Sequence, residues 1–276
     1  MFLVDIIFYW GFSIRTIGSS AASLSYLIPP PQTLIGALSW SLTRALGFPE
    51  VVNNASATKL FIDRSIVLWS SAKINGLAMP YSDLVKLERS PYQRESYRVE
   101  EARQFGVSSM GRIYAPGLKA TIAYVIDVEK LSVLLRDLGM NVDPLELLKL
   151  ATYSIIRVGS KESIVTVTNV KIVDPRDVYD NVVETSFYVP RICATNVKGV
   201  YETVAVPSYS DEHYAIHGSI ELSEVVHIFV PMERRFTPIT FGGKLQVEVQ
   251  RDRCVVRSVD GDILIYPKDG IKELRE

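Results

Sequence analysis

The chain has 276 residues, 47% of them hydrophobic, with a mean hydropathy of +0.15, which suits one large or two small folded domains and excludes a disordered chain. A net charge of −1 gives no bulk signal for nucleic acid, but the halves differ: residues 1–120 carry 12 Lys/Arg against 8 Asp/Glu, and the remainder 18 against 23, so the first half is the better candidate to meet an anion. Cys193 and Cys254 have no metal or redox spacing and are expected as buried thiols in a reducing interior, and the apolar start, interrupted by Asp5 and without a basic leader, is expected to be neither a signal peptide nor a membrane span, in a cytoplasmic protein.

In chain order, Phe2 to Trp10 is rich in β-formers and reads as a first strand buried on both sides, with Phe2, Phe8, Tyr9, Trp10 and Phe12 packed rather than offered as a base-stacking platform. Gly11–Ala22 then carries Arg15 among Gly18, Ser19 and Ser20, a loop able to approach a polyanion. The central stretch is Tyr26 to Gly47, Y-L-I-P-P-P-Q-T-L-I-G-A-L-S-W-S-L-T-R-A-L-G. Its prolines fix an extended entry to a helix starting at Gln32 or Thr33; Leu34, Ile35, Leu38, Leu42, Ala45 and Leu46 form the inward face, and Gly47 the stop. Gly36 sits inside this helix, where glycine costs about 1 kcal/mol relative to alanine. Its simplest compensation is the close approach of another backbone or a ligand. The helix N-terminus behind the prolines reads either as a phosphate seat or as an ordinary strand-to-helix turn.

Leu60–Trp69, with Lys73–Ile74, reads as a second strand region. In residues 80–118 aliphatics thin out. There Lys86, Arg89, Arg94, Arg98, Arg103 and Arg112, with Lys119 just beyond, alternate with Tyr81, Tyr92, Tyr97, Phe105 and Tyr114, diluted by Asp83, Glu88, Glu95, Glu100 and Glu101. Such interleaving suits a grip on single-stranded nucleic acid, through phosphate pairing and base stacking, and equally an exposed insertion of mixed charge.

Thr121–Ile126 is a strand, Asp127 caps a helix through Leu131, Leu134, Leu135 and Leu138 to Gly139, and Asp143-Pro-Leu-Glu146 is a capping box. The helix it opens runs through Leu147, Leu148, Ala151 and Ile155 toward Arg157 and ends at Gly159, ahead of a β-branched strand over Ser163–Val173. The intervening R-V-G-S-K-E-S offers backbone donors, hydroxyls and a charge to a phosphate, without the spacing of a Walker motif. Over residues 1–175 the order is β-α-β-β-α-β with an insertion, the pattern of the ferredoxin-like fold that RNA-recognition motifs use. From 176 to 276 the texture is β-rich: Val182–Val189, Val200–Val206, Glu224–Val230, Lys244–Val249 and Cys254–Val259 are short strands, and Asp260-Gly261 marks a hairpin into Ile263–Tyr266. The expected class is α+β: a ferredoxin-like N-terminal domain with an inserted hairpin, then a small, mainly antiparallel β domain.

Taken together, the N-terminal strand, Y-L-I-P-P-P-Q-T-L-I-G-A-L (26–38), the basic middle insertion and R-V-G-S-K-E-S (157–163) resemble the fifth Cas family of the RAMP superfamily, in its archaeal type I-A form. The resemblance spans residues 1–175 and fits the C-terminal β region loosely. It implies a subunit of a CRISPR interference complex that grips the repeat-derived 5′ handle of the crRNA, abuts the first backbone subunit, meets target DNA only indirectly, and needs neither cofactor nor membrane. Carried over by position, Tyr26, Gln32, Thr33 and Gly36 would lie near the handle, with Arg15 in the preceding loop. Arg157, Gly159, Ser160 and Lys161 would supply donors. Residues 80–118 would be a thumb folding over the RNA, with Arg89, Arg94, Arg98 and Arg112 on phosphates.

One branch of that family, in subtype I-C systems, cleaves precursor RNA with a Tyr, Lys and His cluster in the N-terminal domain. Metal-independent RNA cleavage needs an acid and a base near neutral pKa. Here the histidines are His213, His217 and His227, none in the first 212 residues, so a non-catalytic role is expected. His213 and His217 lie in an acidic, aromatic stretch without a third metal ligand. The endoribonuclease remains the alternative, and a scaffold touching only protein the third reading.

Overall fold

The computed structural model describes residues 1–16, 22–88, 105–210 and 225–274; Gly18, Ser19, Ser20, Arg89, Arg94, Arg98, Arg103, His213 and His217 lie outside them. The elements that position the site are β1 (Phe2–Phe8), α1 (Pro31–Ala45), α2 (Ala57–Asp63), β2 (Val67–Glu88), β3 (Phe105–Tyr114), β4 (Lys119–Ile126), α3 (Val128–Asp137), α4 (Pro144–Tyr153) and β5 (Val165–Ile172). Further along come β6 (Val182–Thr185), β7 (Ala194–Lys198), β8 (Tyr201–Pro207), β9 (Val225–Arg234), β10 (Ile239–Phe241), β11 (Leu245–Val249), β12 (Cys254–Val259) and β13 (Asp262–Pro267).

β1 is central. It pairs antiparallel with β4, from Phe2↔Tyr124 to Ile7↔Lys119, and on its other edge with β5; β4 in turn pairs antiparallel with β2. The order is therefore β2-β4-β1-β5, and β10 extends it by pairing with Gly76–Ala78 of β2, leading on to β9 and β8. The molecule is α+β with mostly antiparallel sheets. Strand alternation sends Phe2, Val4, Ile6 and Phe8 to one face, where they are buried, and half-buried Asp5 and Ile7 to the other.

α1 covers the buried face. Leu34, Ile35, Leu38 and Leu42 are all at most 1% exposed, each contributing about 1.5–3 kcal/mol of burial, and Gly47 closes the helix at φ +61°. The helix begins at Pro31, one residue before the earliest expected start. Asp127 caps α3 by accepting from the Lys130 N–H at 3.0 Å, and Asp143 caps α4 by accepting from Leu145 at 2.9 Å.

Two expectations are corrected. Leu60–Trp69 is not a strand throughout: Ser56 caps α2 by accepting the Thr58 N–H, and Ala57, Phe61 and Ile62 bury one side of that helix before a turn through Ser65 (φ +53°) releases the chain into β2. β2 then runs 22 residues without a break, and its outer half pairs with β3 from Met79↔Tyr114 to Glu88↔Phe105 in a long hairpin, whose second strand also pairs with Gly11–Phe12 and Ala22–Ser23. Cys193 and Cys254 are buried as expected but are not thiols. They form a disulfide inside a second small core with Val183, Val189, Leu245, Val247, Val249, Val256 and Ile265, because the turn over Arg191–Cys193 and the start of β12 converge there. The β12–β13 hairpin turns at Asp260-Gly261, both at positive φ, as expected.

Candidate functional site

The start of α1 is clamped from several sides. Pro29, Pro30, Pro31 and Gln32 are buried, the Thr33 and Leu34 N–H groups both donate to the Pro30 carbonyl (2.9 and 3.1 Å), and the Ser70 hydroxyl donates to the Pro31 carbonyl at 2.8 Å. The Tyr124 hydroxyl donates to the Leu34 carbonyl at 2.9 Å; complete burial pushes its pKa far up and keeps the phenol a donor. Gln32 donates through Nε2 to the Pro207 carbonyl at the end of β8. The prolines carry no N–H, and the Thr33 and Leu34 amides are engaged by Pro30, so this N-terminus offers few free donors to a phosphate.

The open side of α1 is its flank. Thr33, Gly36, Ala37 and Trp40 follow at helical spacing and line a cleft of about 500 Å³, faced by Glu50, Val51 and the start of α2, with Arg157 and Gly159 contributed by the loop before β5. A Cβ on Gly36 would meet nothing within 4 Å, so no other backbone crosses there; the glycine faces the cleft itself. The Arg157 guanidinium lies 5.3 Å from the centre of the Trp40 ring and that of Arg44 5.5 Å from it, while the indole N–H donates to Glu50 Oε1 at 3.2 Å. Arg44 also pairs with Glu50 at 2.7 Å, an exposed pair worth at most about 1 kcal/mol. Along the inner wall, Gln32 Oε1 and Ser39 Oγ are buried without a hydrogen-bond partner.

The loop 157–163 is held by its own polar groups. Ser160 donates its N–H to Ser13 O (3.2 Å), and its hydroxyl meets Glu162 Oε2 (3.2 Å) and Ser163 Oγ (3.0 Å); the Trp10 indole donates to Glu162 O at 2.6 Å. Gly159 has φ +107°, and a Cβ there would come within 2.6 Å of Ile14 Cγ1, so the loop requires glycine. Ser160 thus serves the loop, while Lys161 is exposed.

Of the expected site residues, Gln32, Thr33, Gly36, Arg157 and Gly159 meet in this cleft. Arg112 lies at the root of the β2–β3 hairpin, 5.6 Å from the Trp10 ring and 3.5 Å from Asp83, and so touches the loop through Trp10. Arg15 is exposed outside the cleft, and Tyr26, 5% exposed, belongs to the core. Of the five aromatics near the N-terminus, Phe2, Phe8 and Phe12 are core, Trp10 is half-buried, and Tyr9 is exposed. The sequence reading passed over Trp40, although it stands seven residues after Thr33 and four after Gly36, the spacing of a shared helix face.

A second groove, about 560 Å³, opens on the other face of the sheet, lined by Asp5, Lys73, Asn75, Lys119, Thr121 and Asp262 among others. Its carboxylates are engaged: Asp5 accepts from Thr121 Oγ1 (2.6 Å) and Asn169 Nδ2 (3.1 Å), and Asp262 accepts from the Ser186 and Ile263 N–H groups and lies 3.7 Å from Lys73. Among the described residues no cluster of three or more His, Cys, Asp or Glu could hold a metal, and no helix is long and apolar enough to cross a membrane.

No protein-family model matches the chain. A CRISPR structure supports the fold: a crystal structure of a CRISPR protein from Archaeoglobus fulgidus superposes with a TM-score of 0.55 at 22% identity, covering 96% of this chain and 98% of that one. Among curated proteins of Saccharolobus solfataricus, the CRISPR system aCascade subunit Cas5 1 is 28% identical over 94% of this chain and 95% of its own length. The CRISPR-associated protein Cas5 2 of the same organism is 33% identical over 97% of this chain and 95% of its own length. With that identity along nearly the whole of both sequences, the chain belongs to the Cas5 family of CRISPR-associated proteins.

Proposed function

We propose that the chain is a non-catalytic RNA-binding subunit of a type I-A CRISPR interference complex, holding the 5′ handle of the crRNA against the α1 cleft and abutting the backbone subunit. The observation that carries this reading is the meeting of two distant motifs: Thr33 and Gly36 from the proline-helix stretch, and Arg157 and Gly159 from the loop before β5, line one cleft. One wall of it is an aromatic ring with a guanidinium over it, the side-chain chemistry that holds unstacked bases. The aCascade name of one relative supports membership of such a complex. The strand order β2-β4-β1-β5 supports a ferredoxin-like reading of the N-terminal part, up to about residue 175, with a β-rich domain beyond it. The β2–β3 hairpin is then the thumb, and Arg112 at its root is placed to continue the RNA path from the cleft. A cytoplasmic location goes with this role; a buried disulfide is compatible with it in the way known for intracellular proteins of hyperthermophilic archaea.

The test is binding of a labelled repeat-spacer RNA without metal, by the full chain alone and with its backbone subunit. Wild type is expected to bind with strong salt dependence and leave the RNA intact, and Arg157→Ala/Lys161→Ala to bind about 10- to 100-fold more weakly. Unchanged affinity in the double variant would remove the cleft as the seat of the handle, and absence of RNA binding by wild type, even with the backbone subunit, would leave a scaffold that touches protein only. Cleavage at one site in the repeat would replace the non-catalytic reading with the endoribonuclease.

A further inference from the structure

We propose that the free edge of β5 receives an extended segment of a neighbouring protein subunit, added as one more strand to the sheet β2-β4-β1-β5; this rests on membership of a multisubunit complex and not on RNA binding. The ladder fixes which main-chain groups are offered. Met1 and Val173 exchange both of their bonds, the Val173 N–H donating to Met1 O at 2.9 Å and the Met1 amine to Val173 O at 3.0 Å. In an antiparallel pair that exchange recurs at every second residue, so Lys171 also faces β1, while Ile172 and Val170 turn their N–H and C=O groups away from it. The register slips by one residue at Asp5, and beyond this bulge the outward residues are Val167 and Val165. The Val165 N–H fits that parity, since it donates outward to Ile156 O at 3.0 Å. Arg157 also bridges antiparallel to Ile164, so the chain itself lays a short extended piece along the start of this edge. Among the described residues no strand continues it, and β5 is the last strand of the sheet.

Natural sheets guard an open edge with proline, with charge, or by keeping it short, because unpaired main-chain groups recruit other strands. β5 uses none of these. It has eight residues and no proline, and its one charged side chain, Lys171, is drawn to Asp260 at 2.7 Å. An edge left unguarded is one that a partner covers. The two rows of side chains along it state what that partner looks like, since side chains alternate between the faces of a sheet. On the helix side Val167 and Val170 are half-buried against the core, and Ile172, 54% exposed, extends the same row uncovered. On the other side Thr166, Thr168 and Lys171 are exposed. A segment of about five residues that alternates apolar with polar side chains matches both rows, with main-chain bonds giving the affinity.

Residue-resolved hydrogen exchange tests this on the full chain, free in dilute solution and within the purified whole complex with its guide RNA. In the free chain the Val170 and Ile172 amides are expected to exchange at close to the unprotected rate, while Lys171 and Val173, bonded to β1, exchange slowly. In the complex Val170 and Ile172 are expected to slow by about 100-fold or more. Val170→Pro removes an outward N–H without breaking a bond to β1, a position where edge strands accept proline. The folded variant is expected to join the complex about tenfold more weakly than wild type, and Val170→Thr, which keeps the N–H, within about threefold of it. Fast exchange of Val170 and Ile172 in the assembled complex overturns the proposal. So does slow exchange in the dilute free chain, since the edge is then covered from within. Protection that grows with the concentration of the free chain, together with a dimer in sedimentation, overturns the partner subunit in favour of a second copy. A chain that never enters the complex overturns membership and this proposal together.

Discussion

The cleft beside α1 and the groove on the opposite face of the sheet are close in size, about 500 and 560 Å³, and both are lined by polar side chains from distant parts of the chain. They differ in how those side chains are satisfied. In the groove each carboxylate already has its donors: Asp5 holds Thr121 and Asn169, and Asp262 holds two backbone N–H groups with Lys73 nearby. In the cleft, Gln32 Oε1 and Ser39 Oγ are buried and unanswered, and the Trp40 ring and guanidinium face an open space floored by a glycine. The difference teaches that size does not mark a binding site. A groove whose polar groups bond each other is part of the fold's own bonding, whereas the α1 cleft lies beside two buried polar atoms that the fold leaves unbonded.

The largest expected effect separates the two regions by what holds them together. Asp262 and Ser186, on the C-terminal side of the groove, stand beside the second core, which the Cys193–Cys254 bond closes over 61 residues; the cleft is built almost wholly from residues before 164. In the chain-entropy account a loop of that length contributes about 4 kcal/mol. Replacing both cysteines with serine is therefore expected to lower the melting temperature by on the order of 10 °C. Below that temperature RNA affinity should stay within about twofold, because the cleft wall does not involve the bond. A large loss of RNA binding in the folded variant would show that the two regions are not separable.

The next pair of variants tests satisfaction directly, and its two members are expected to have opposite signs. Thr121→Val removes a donor from Asp5 and is expected to destabilise by about 1–2 kcal/mol. Ser39→Ala removes an orphaned hydroxyl from the cleft wall and is expected to raise the melting temperature of the RNA-free protein, by about 1 kcal/mol of stability. Thermal melts of the two variants read both signs. A Ser39→Ala variant that melts lower than wild type would mean that the hydroxyl is already satisfied, and the contrast between the regions would fail.

How much of this was legible beforehand follows the range of the forces involved. α1, the Asp127 and Asp143 caps and the Asp260-Gly261 hairpin are decided within a few residues, and all were readable. α2 was misread because Leu60–Trp69 is a short apolar run that suits a strand or a helix; the Ser56 cap that decides between them lay just outside the run. The glycine inside α1 is visible in the sequence, but whether it faces a backbone or a cavity depends on α2 and the 157–163 loop, which local pattern does not position. The burial of the α1 N-terminus was out of reach for the same reason, since Pro207, which holds Gln32, lies 175 residues further along the chain. The disulfide needed the second core to bring two unpatterned cysteines together.

The smallest expected effect concerns acid, at the far end of α2 from the turn that lines the cleft. Asp63, at the other end of α2, is desolvated, which alone would raise its pKa. Hydrogen bonds from Lys59 and Tyr209 and the charges of Lys59 and Lys272 outweigh that and hold the carboxyl below its ordinary value. A carboxyl depressed on folding contributes stability that is fully present above the unfolded pKa, about 3.9, and is lost as pH falls through the lower folded value. The wild-type melting temperature is therefore expected to drop below about pH 4 more steeply than that of Asp63→Asn, whose amide does not titrate. At neutral pH the variant should melt slightly below wild type, having lost the charge pairing with Lys59, and the two curves should converge toward acid. The two proteins differ only at this position, so the convergence isolates the α2 end. Parallel curves across that range would mean that Tyr209 and the two lysines do not hold Asp63 as the fold places them.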